Sequence, residues 1–301
     1  MWLLLVQKNM KIVKLQGGLG NQMFQYAVAR MLEINKKKDI YLDLSFLRMN
    51  NISTDCFTAR DFELSIFPHL RGKKLNSLQE KFLLSNRVKY KSIRKIANIN
   101  FHKTNQLENE IVEIPFGIKN VYLDGFFQSE SYFKHIRFDL IKDLEFPELD
   151  TKNEALKKTI INNNSVSIHI RRGDYVHLKN ANTYHGVLSL EYYQNAIKRI
   201  EEEANEQLSF FIFSDDPEYA SKSLSFLPNM QIVDWNIGKN SWKDMALMQA
   251  CKHHIIANSS FSWWGAWLSE RNGITYAPAK WFNDESKYNI NNIIPSDWVI
   301  I

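Results

Sequence analysis

Short apolar runs alternate with longer stretches of helical period along this chain. Residues 11–16 (KIVKLQ) are written for a strand, which breaks at Gly17-Gly18-Leu19-Gly20. An apolar-periodic segment from 21 to 37 predicts a helix, and 40–44 predicts the next strand. Strand, glycine turn, helix and strand form the building unit of a parallel sheet. From 50 to 118 the pattern loosens into polar and helical pieces that define no clear element. A strand is then predicted at 121–125 and a helix at 129–144. The polar stretch 145–153 (EFPELDTKN), with Pro147, reads as a linker. Beyond it the rhythm sharpens, with strands expected at 166–170, 210–214, 231–233, 254–257 and 274–276. Helices fit between them at 190–204, 217–226, 241–252 and 261–270. The expectation is two doubly wound, Rossmann-like α/β domains, 10–150 and 154–301, with parallel sheets facing a cleft.

Composition adds limits rather than a function. At 301 residues the chain can hold one large domain or two compact ones. Its 45% apolar and 24% charged content is that of a soluble globular protein. A formal charge of +5 suits an anionic small ligand or loose adhesion to an acidic membrane surface. The longest basic run, Lys36-Lys37-Lys38, falls at a predicted helix end, where cations complement the helix dipole. No basic stripe with interleaved aromatics is visible, which argues against nucleic acid as a partner. Cys56 and Cys251 give neither a disulfide framework nor a zinc spacing, so a reducing cytoplasm is the expected setting. The opening MWLLLV is too short for a membrane span and lacks a signal-peptide layout, so residues 1–9 read as an extension.

Ligands of open parallel sheets bind beyond the carboxyl ends of the strands, and three clusters fall there. In His169-Ile170-Arg171-Arg172-Gly173-Asp174-Tyr175, two adjacent guanidinium forks match phosphate oxygens. Asp174 can orient an arginine or accept a proton; a plain surface ion pair is the alternative. In Asn258-Ser259-Ser260-Phe261, followed by Ser262-Trp263-Trp264-Gly265-Ala266-Trp267, a serine can cap a helix whose free N–H groups face an anion. The spacing of the three tryptophans puts them on one helical face, which fits a ligand site or a core equally. In Ser214-Asp215-Asp216-Pro217 and Asp234-Trp235-Asn236, a carboxylate can accept from the N1–H and exocyclic amine of guanine. Asp215-Asp216 also invites a metal reading, but Asp216 ahead of Pro217 reads better as a helix N-cap. The turn at Gly17-Gly18-Leu19-Gly20-Asn21-Gln22 lacks the last glycine of the dinucleotide fingerprint. Its backbone, with the amides of Asn21 and Gln22, can instead meet sugar hydroxyls.

Taken together, QGGLGNQMFQYA (16–27), HIRRGDY (169–175), FSDDP (213–217) and NSSFSWWGAWL (258–268) resemble the α-1,2-fucosyltransferases of glycosyltransferase family 11. The likeness runs in order from Lys11 onward and fades only around 50–118. More distantly, the same stations resemble the α-1,6- and protein O-fucosyltransferases, which share a GT-B-type fold, use GDP-fucose and need no metal. The resemblance implies inverting transfer of L-fucose from GDP-β-L-fucose to the 2-hydroxyl of a terminal galactose, without metal or other cofactor. It implies that Arg171 and Arg172 hold the pyrophosphate, that His169 sits near the nucleotide, and that Asp234 reads guanine. Ser259, Ser260 and the helix start through Phe261 would hold the β-phosphate, with Asp215 on the donor side. Gly18, Gly20, Asn21, Gln22 and Asp124 would line the fucose or acceptor side. A proton acceptor is less well marked: Asp174, Asp124 and Glu130 stand in that order, because the stretch 175–179 has no carboxylate. Eukaryotic members carry an N-terminal membrane anchor, so this chain resembles a bacterial, cytoplasmic form with at most peripheral membrane association, acting on glycans that include lipid-linked ones. Two rivals remain: a transferase of another linkage or GDP-sugar, and a non-catalytic glycan-binding protein with the tryptophans stacked on sugars.

Overall fold

The structure, a computed structural model, describes residues 10–36, 39–54, 57–96, 102–106, 110–114, 118–173, 186–204, 206–283 and 289–301. Residues 1–9, Lys37, Lys38, Cys56, Asp174 and the stretch 175–179 therefore lie outside the described residues. Two compact units emerge, one from Met1–Ile52 and Ala59–Glu145, the other from Ser53–Thr58 and Phe146–Ile301. No helix among the described residues is long and apolar enough to cross a membrane.

The first unit is built on a parallel five-stranded sheet of order β3-β2-β1-β5-β4. Strand β1 (Lys11–Lys14) leads through the glycine turn into α1 (Leu19–Lys36) and then β2 (Ile40–Asp43). A short helix α2 (Ser45–Met49) follows. The looser region then supplies β3 (Lys73–Lys74), α3 (Ser77–Leu83), α4 (Val88–Ile96) and β4 (His102–Asn105). Strand β5 (Val121–Asp124) returns beside β1. Register places Ile12 opposite Tyr41 and Tyr122, and Val13 opposite Leu42 and Leu123. Because side chains alternate across a sheet, these rows face opposite sides. The Ile12 row forms one core with Leu75, Phe82, Leu83 and Tyr90 of the α3–α4 segment. The Val13 row is equally buried, and α1 packs against β1 and β2. The helix expected over 129–144 is instead two 3-10 turns, Glu130–Tyr132 and Lys134–Ile136, followed by α5 (Arg137–Asp143). Phe133 separates the two turns at φ −140°, outside helical values.

The second unit opens with α6 (Thr151–Ile161), capped by the Asp150 side chain, inside the stretch read as a linker. Its sheet has the order β11-β10-β9-β6-β7-β8, all parallel. The elements in chain order are β6 (Ser165–Ile170), α7 (Leu190–Ala204), β7 (Ser209–Ser214), α8 (Pro217–Ser223), β8 (Met230–Val233), α9 (Trp242–Ala250), β9 (His253–Ile255), α10 (Ser260–Trp267), β10 (Thr275–Ala277) and β11 (Val299–Ile300). From β6 the chain winds outward through β7 and β8, then returns to the other flank of β6 with β9. The winding reverses between β6 and β9, where a doubly wound sheet opens a crevice for ligand. Two parallel-sheet α/β units are thus present, as the pattern of apolar runs predicts.

Candidate functional site

In the second unit the site grows from β6, whose six residues are all buried. Its last residues deliver His169 and the Arg171-Arg172 pair to the carboxyl end of the central strand. The neighbouring β7 ends on Ser214, whose hydroxyl donates to the Ile170 carbonyl (2.9 Å) and accepts from the Asp216 N–H (3.0 Å). That turn sets two carboxylates against two guanidiniums. Arg171 Nη1 lies 2.8 Å from Asp215 Oδ2, and the Arg172 backbone N–H donates to Asp215 Oδ1 at 2.8 Å. Arg172 Nε donates to Asp216 Oδ2 at 3.0 Å, and its guanidinium lies over the Tyr219 ring at 3.7 Å. Asp216 meanwhile caps α8, accepting from the Tyr219 N–H with Pro217 in the first turn. Both arginine side chains stay about one-quarter exposed, 24% and 23%, so they are oriented without being sealed off. Gly173 leaves room for this pairing: a Cβ would stand 2.6 Å from Asp215 Oδ2, the atom that holds Arg171.

The other flank of the reversal point is α10. Ser259 is its N-cap, accepting from the Phe261 N–H at 3.3 Å, and Ser260 is its first residue. The Phe261 ring packs on the His169 ring, centroids 5.8 Å apart, so the β6 end and the α10 start meet. His169 is buried, and that burial pushes its imidazole down to about 4, Arg171 adding to the effect and Asp215 opposing it. It is neutral at physiological pH, with Nδ1 lacking a hydrogen-bond partner among the described residues. The tryptophans are core. Residues 262–267 are buried in succession, around the whole helix rather than on one face. Trp263 stacks on Trp267 (5.8 Å), and its Nε1–H donates to the Ile293 carbonyl (2.9 Å).

Asp234 does not join this group. It is exposed after β8, the edge strand, two strands or roughly 10 Å from β6. Beside it lies a polar network that sequence reasoning missed. Asn153 and Asn236, both buried, exchange hydrogen bonds (2.8 and 2.9 Å), and Trp235 Nε1–H donates to Asn153 Oδ1 (3.0 Å). Asn236 Nδ2 also donates to Asp244 Oδ1 at 2.8 Å. Desolvation lifts the Asp244 carboxyl to about 7, against the lowering effect of Asn236. A carboxylate in the first turn of a helix was the available signal; its enclosure was not visible in sequence.

In the first unit the predicted residues gather at the carboxyl ends of β1 and β5. Gly17 takes φ 77°, which favours glycine, and a Cβ on Gly18 would stand 3.7 Å from the Arg60 side chain. Gly20 is buried within the first turn of α1. Asn21 Oδ1 accepts from Gln128 Nε2 at 2.8 Å. Gln22 is fully buried, donating to the Gly17 and Asp61 carbonyls (2.8 Å each) and accepting from the Glu63 N–H (3.0 Å). Its amide is spent on holding the turn, and so it does not present itself to a sugar. Asp124 is paired with Lys14 at 3.0 Å, while Glu130 sits half-buried in its 3-10 turn. Glu63, from the region left unread, accepts from the Leu19 N–H at 2.9 Å, and burial raises its carboxyl.

Two parallel-sheet α/β units are the architecture of the GT-B-type fold. Solved structures of this fold include the fucosyltransferase NodZ from Bradyrhizobium, at TM-score 0.50 and 12% identity, covering 86% of this chain and 92% of that one. A point mutant of Arabidopsis thaliana FUT1 in complex with GDP aligns at TM-score 0.51 and 10% identity, covering 97% of this chain and 76% of that one. The chain belongs to glycosyl transferase family 11, whose family model matches residues 3–301. It is 34% identical to the alpha-1,2-colitosyltransferase of Escherichia coli over 96% of this chain and 98% of that protein. It is 35% identical to the O-antigen biosynthesis glycosyltransferase WbnK of Escherichia coli over 93% and 98%. The galactoside 2-alpha-L-fucosyltransferase Sec1 of Mus musculus is 24% identical over 87% of this chain and 65% of that protein.

Proposed function

We propose that this family 11 glycosyltransferase moves L-fucose, with inversion, from GDP-β-L-fucose to the 2-hydroxyl of a terminal galactose. The observation that carries this reading is the Arg171-Arg172 pair, held by Asp215 and Asp216 at the end of the strand whose His169 meets Phe261 at the start of α10. As the sugar–phosphate bond breaks, charge builds on the β-phosphate oxygens. Preorganised guanidinium and helix N–H donors meet that charge with no reorganisation at the moment of reaction. Both aspartates are already engaged by arginine, which supports metal-independent chemistry over an Asp-Asp metal site. Neutral His169 next to Phe261 would line the nucleotide side without adding charge. The acceptor would be a galactose-terminated glycan, lipid-linked forms included, met in the cytoplasm. A colitosyl donor is the second reading, favoured by the 34% identity to the colitosyltransferase.

The test is transfer to a panel of galactosides in EDTA, with GDP-fucose, GDP-colitose, GDP-mannose and UDP-galactose offered separately and product linkage determined. An α-1,2-fucosylated product formed in EDTA is expected. Activity restored only by Mn²⁺ overturns metal independence, and preference for another donor overturns the sugar assignment. Arg172→Ala should lose at least about a hundredfold in turnover while melting like the parent. Near-full turnover in that variant would remove the phosphate role.

A further inference from the structure

From Lys81 to Gln106 the chain has seven lysines and arginines and no aspartate or glutamate. The whole chain has 38 cationic and 33 acidic residues, so outside this stretch the acids outnumber the cations. The net positive charge of the protein is thus a local property of the α3–α4 segment. The structure shows how that charge is displayed. Phe82, Leu83 and Tyr90 turn inward onto the Ile12 row, with Ile93 packed alongside. Arg94 donates to the Phe82 and Ser85 carbonyls and ties the two helices together. The opposite side of α4 presents Arg87, Val88, Lys89, Lys91 and Lys95, all exposed, with exposed Lys81 at the end of α3. Among the described residues these five cations have no ion-pair partner, and the nearest preceding acid, Glu80, is engaged by Arg48. Two apolar side chains stand among them in solvent, Val88 at 79% and Leu78 at 62%.

We infer that the exposed face of α3–α4 docks the protein on an anionic phospholipid surface. Unpaired cations around exposed aliphatic side chains match a headgroup layer, where charge attracts and apolar groups enter the interface. Single-stranded nucleic acid would ask for exposed aromatics on which bases stack. The described aromatics of this segment, Phe82 and Tyr90, are buried at 3% and 9% exposure. The surface belongs to a different part of the first unit's sequence from the glycine turn, and the inference does not depend on the identity of the donor.

Co-sedimentation of the full chain with phosphatidylglycerol–phosphatidylethanolamine vesicles tests it, with phosphatidylcholine vesicles and a single-stranded oligonucleotide as the other arms. The parent should bind the anionic vesicles and be released at about 1 M salt, where the screening length falls to roughly 3 Å. The triple variant Lys89→Glu, Lys91→Glu, Lys95→Glu should bind on the order of a hundredfold more weakly, with an unchanged melting temperature as the folding control. Equal binding to neutral vesicles, salt-insensitive binding, or no loss in a folded triple variant overturns the inference. Binding to the oligonucleotide but not to vesicles overturns it in favour of nucleic acid. Should the triple variant fail to fold, the salt and lipid dependence of the parent decides alone.

Discussion

At the scale of single residues, the second unit's site is a set of constraints on two guanidiniums. Asp215 serves both arginines, binding the side chain of one and the backbone N–H of the next. Gly173 makes this possible by leaving room for the carboxylate. Gly173→Ala should therefore push Asp215 off Arg171 while leaving the buried strand behind it intact. A charge-assisted hydrogen bond contributes about 1.5–3 kcal/mol, so donor turnover should fall by roughly tenfold to a hundredfold. Steady-state kinetics alongside a thermal melt check this; parent-like kinetics would show that Asp215 does not aim Arg171 for catalysis. Much of this was legible in sequence. Arg171-Arg172 at a strand end and Asp216 ahead of Pro217 announced their geometry, because strand ends and helix caps are local features. The surroundings of Asp234 and Gln22 were not legible, for the opposite reason. Exposure just past an edge strand, and an amide spent on carbonyls at Gly17 and Asp61, are set by distant parts of the chain.

At the scale of elements, strands and helices with strong apolar periods were readable, including β6, β7 and α7. The misses share a cause. Strand β3 is two exposed lysines, and β4 is His-Lys-Thr-Asn, so neither carries a hydrophobic signal and both exist only by pairing with neighbours. The α4 surface went unnoticed because its charge is an absence of acids over many positions rather than a run of cations. Helix α9 holds another feature of this kind, Asp244, half-buried in its first turn and lifted to about 7. In the unfolded chain that carboxyl ionises near 3.8. Between those values the fold holds the extra proton, so the group costs stability increasingly as pH rises towards 7, and constantly above it. Asp244→Asn keeps an oxygen to accept from Asn236 and removes the desolvated charge. It should therefore gain stability over the parent as pH rises from about 4 to 7, with the gain level beyond. Urea midpoints across that range measure it. A gain independent of pH would show that Asp244 does not titrate in that window.

At the scale of the whole molecule, the second unit carries a sensitivity to acid of its own. Among the described residues, three imidazoles of the second unit are strongly depressed: His169 and His253 at about 4, and His254 at about 3. Burial is the first cause in each. His253 Nδ1 also accepts from the Ile274 N–H at 3.0 Å, a bond that protonation there would break. His254 Nδ1 lies 2.9 Å from the Ser167 hydroxyl within the sheet. Unfolded, these imidazoles take up protons near 6.5; folded, they resist down to about 4 or below. In that window the unfolded state binds more protons, so stability falls as pH falls. Asp244 works in the opposite direction over much of the same range, but as one group against three. The expected net slope is on the order of 1–3 kcal/mol per pH unit. Seven of the eight tryptophans lie between positions 235 and 298, so intrinsic fluorescence reports on this unit almost alone. Urea unfolding followed by tryptophan emission should show a midpoint that drops steadily from about pH 6.5 to 4.5. A flat midpoint over that interval would mean that the three imidazoles are hydrated in solution, and that the neutral His169 invoked for the nucleotide side is not maintained by burial.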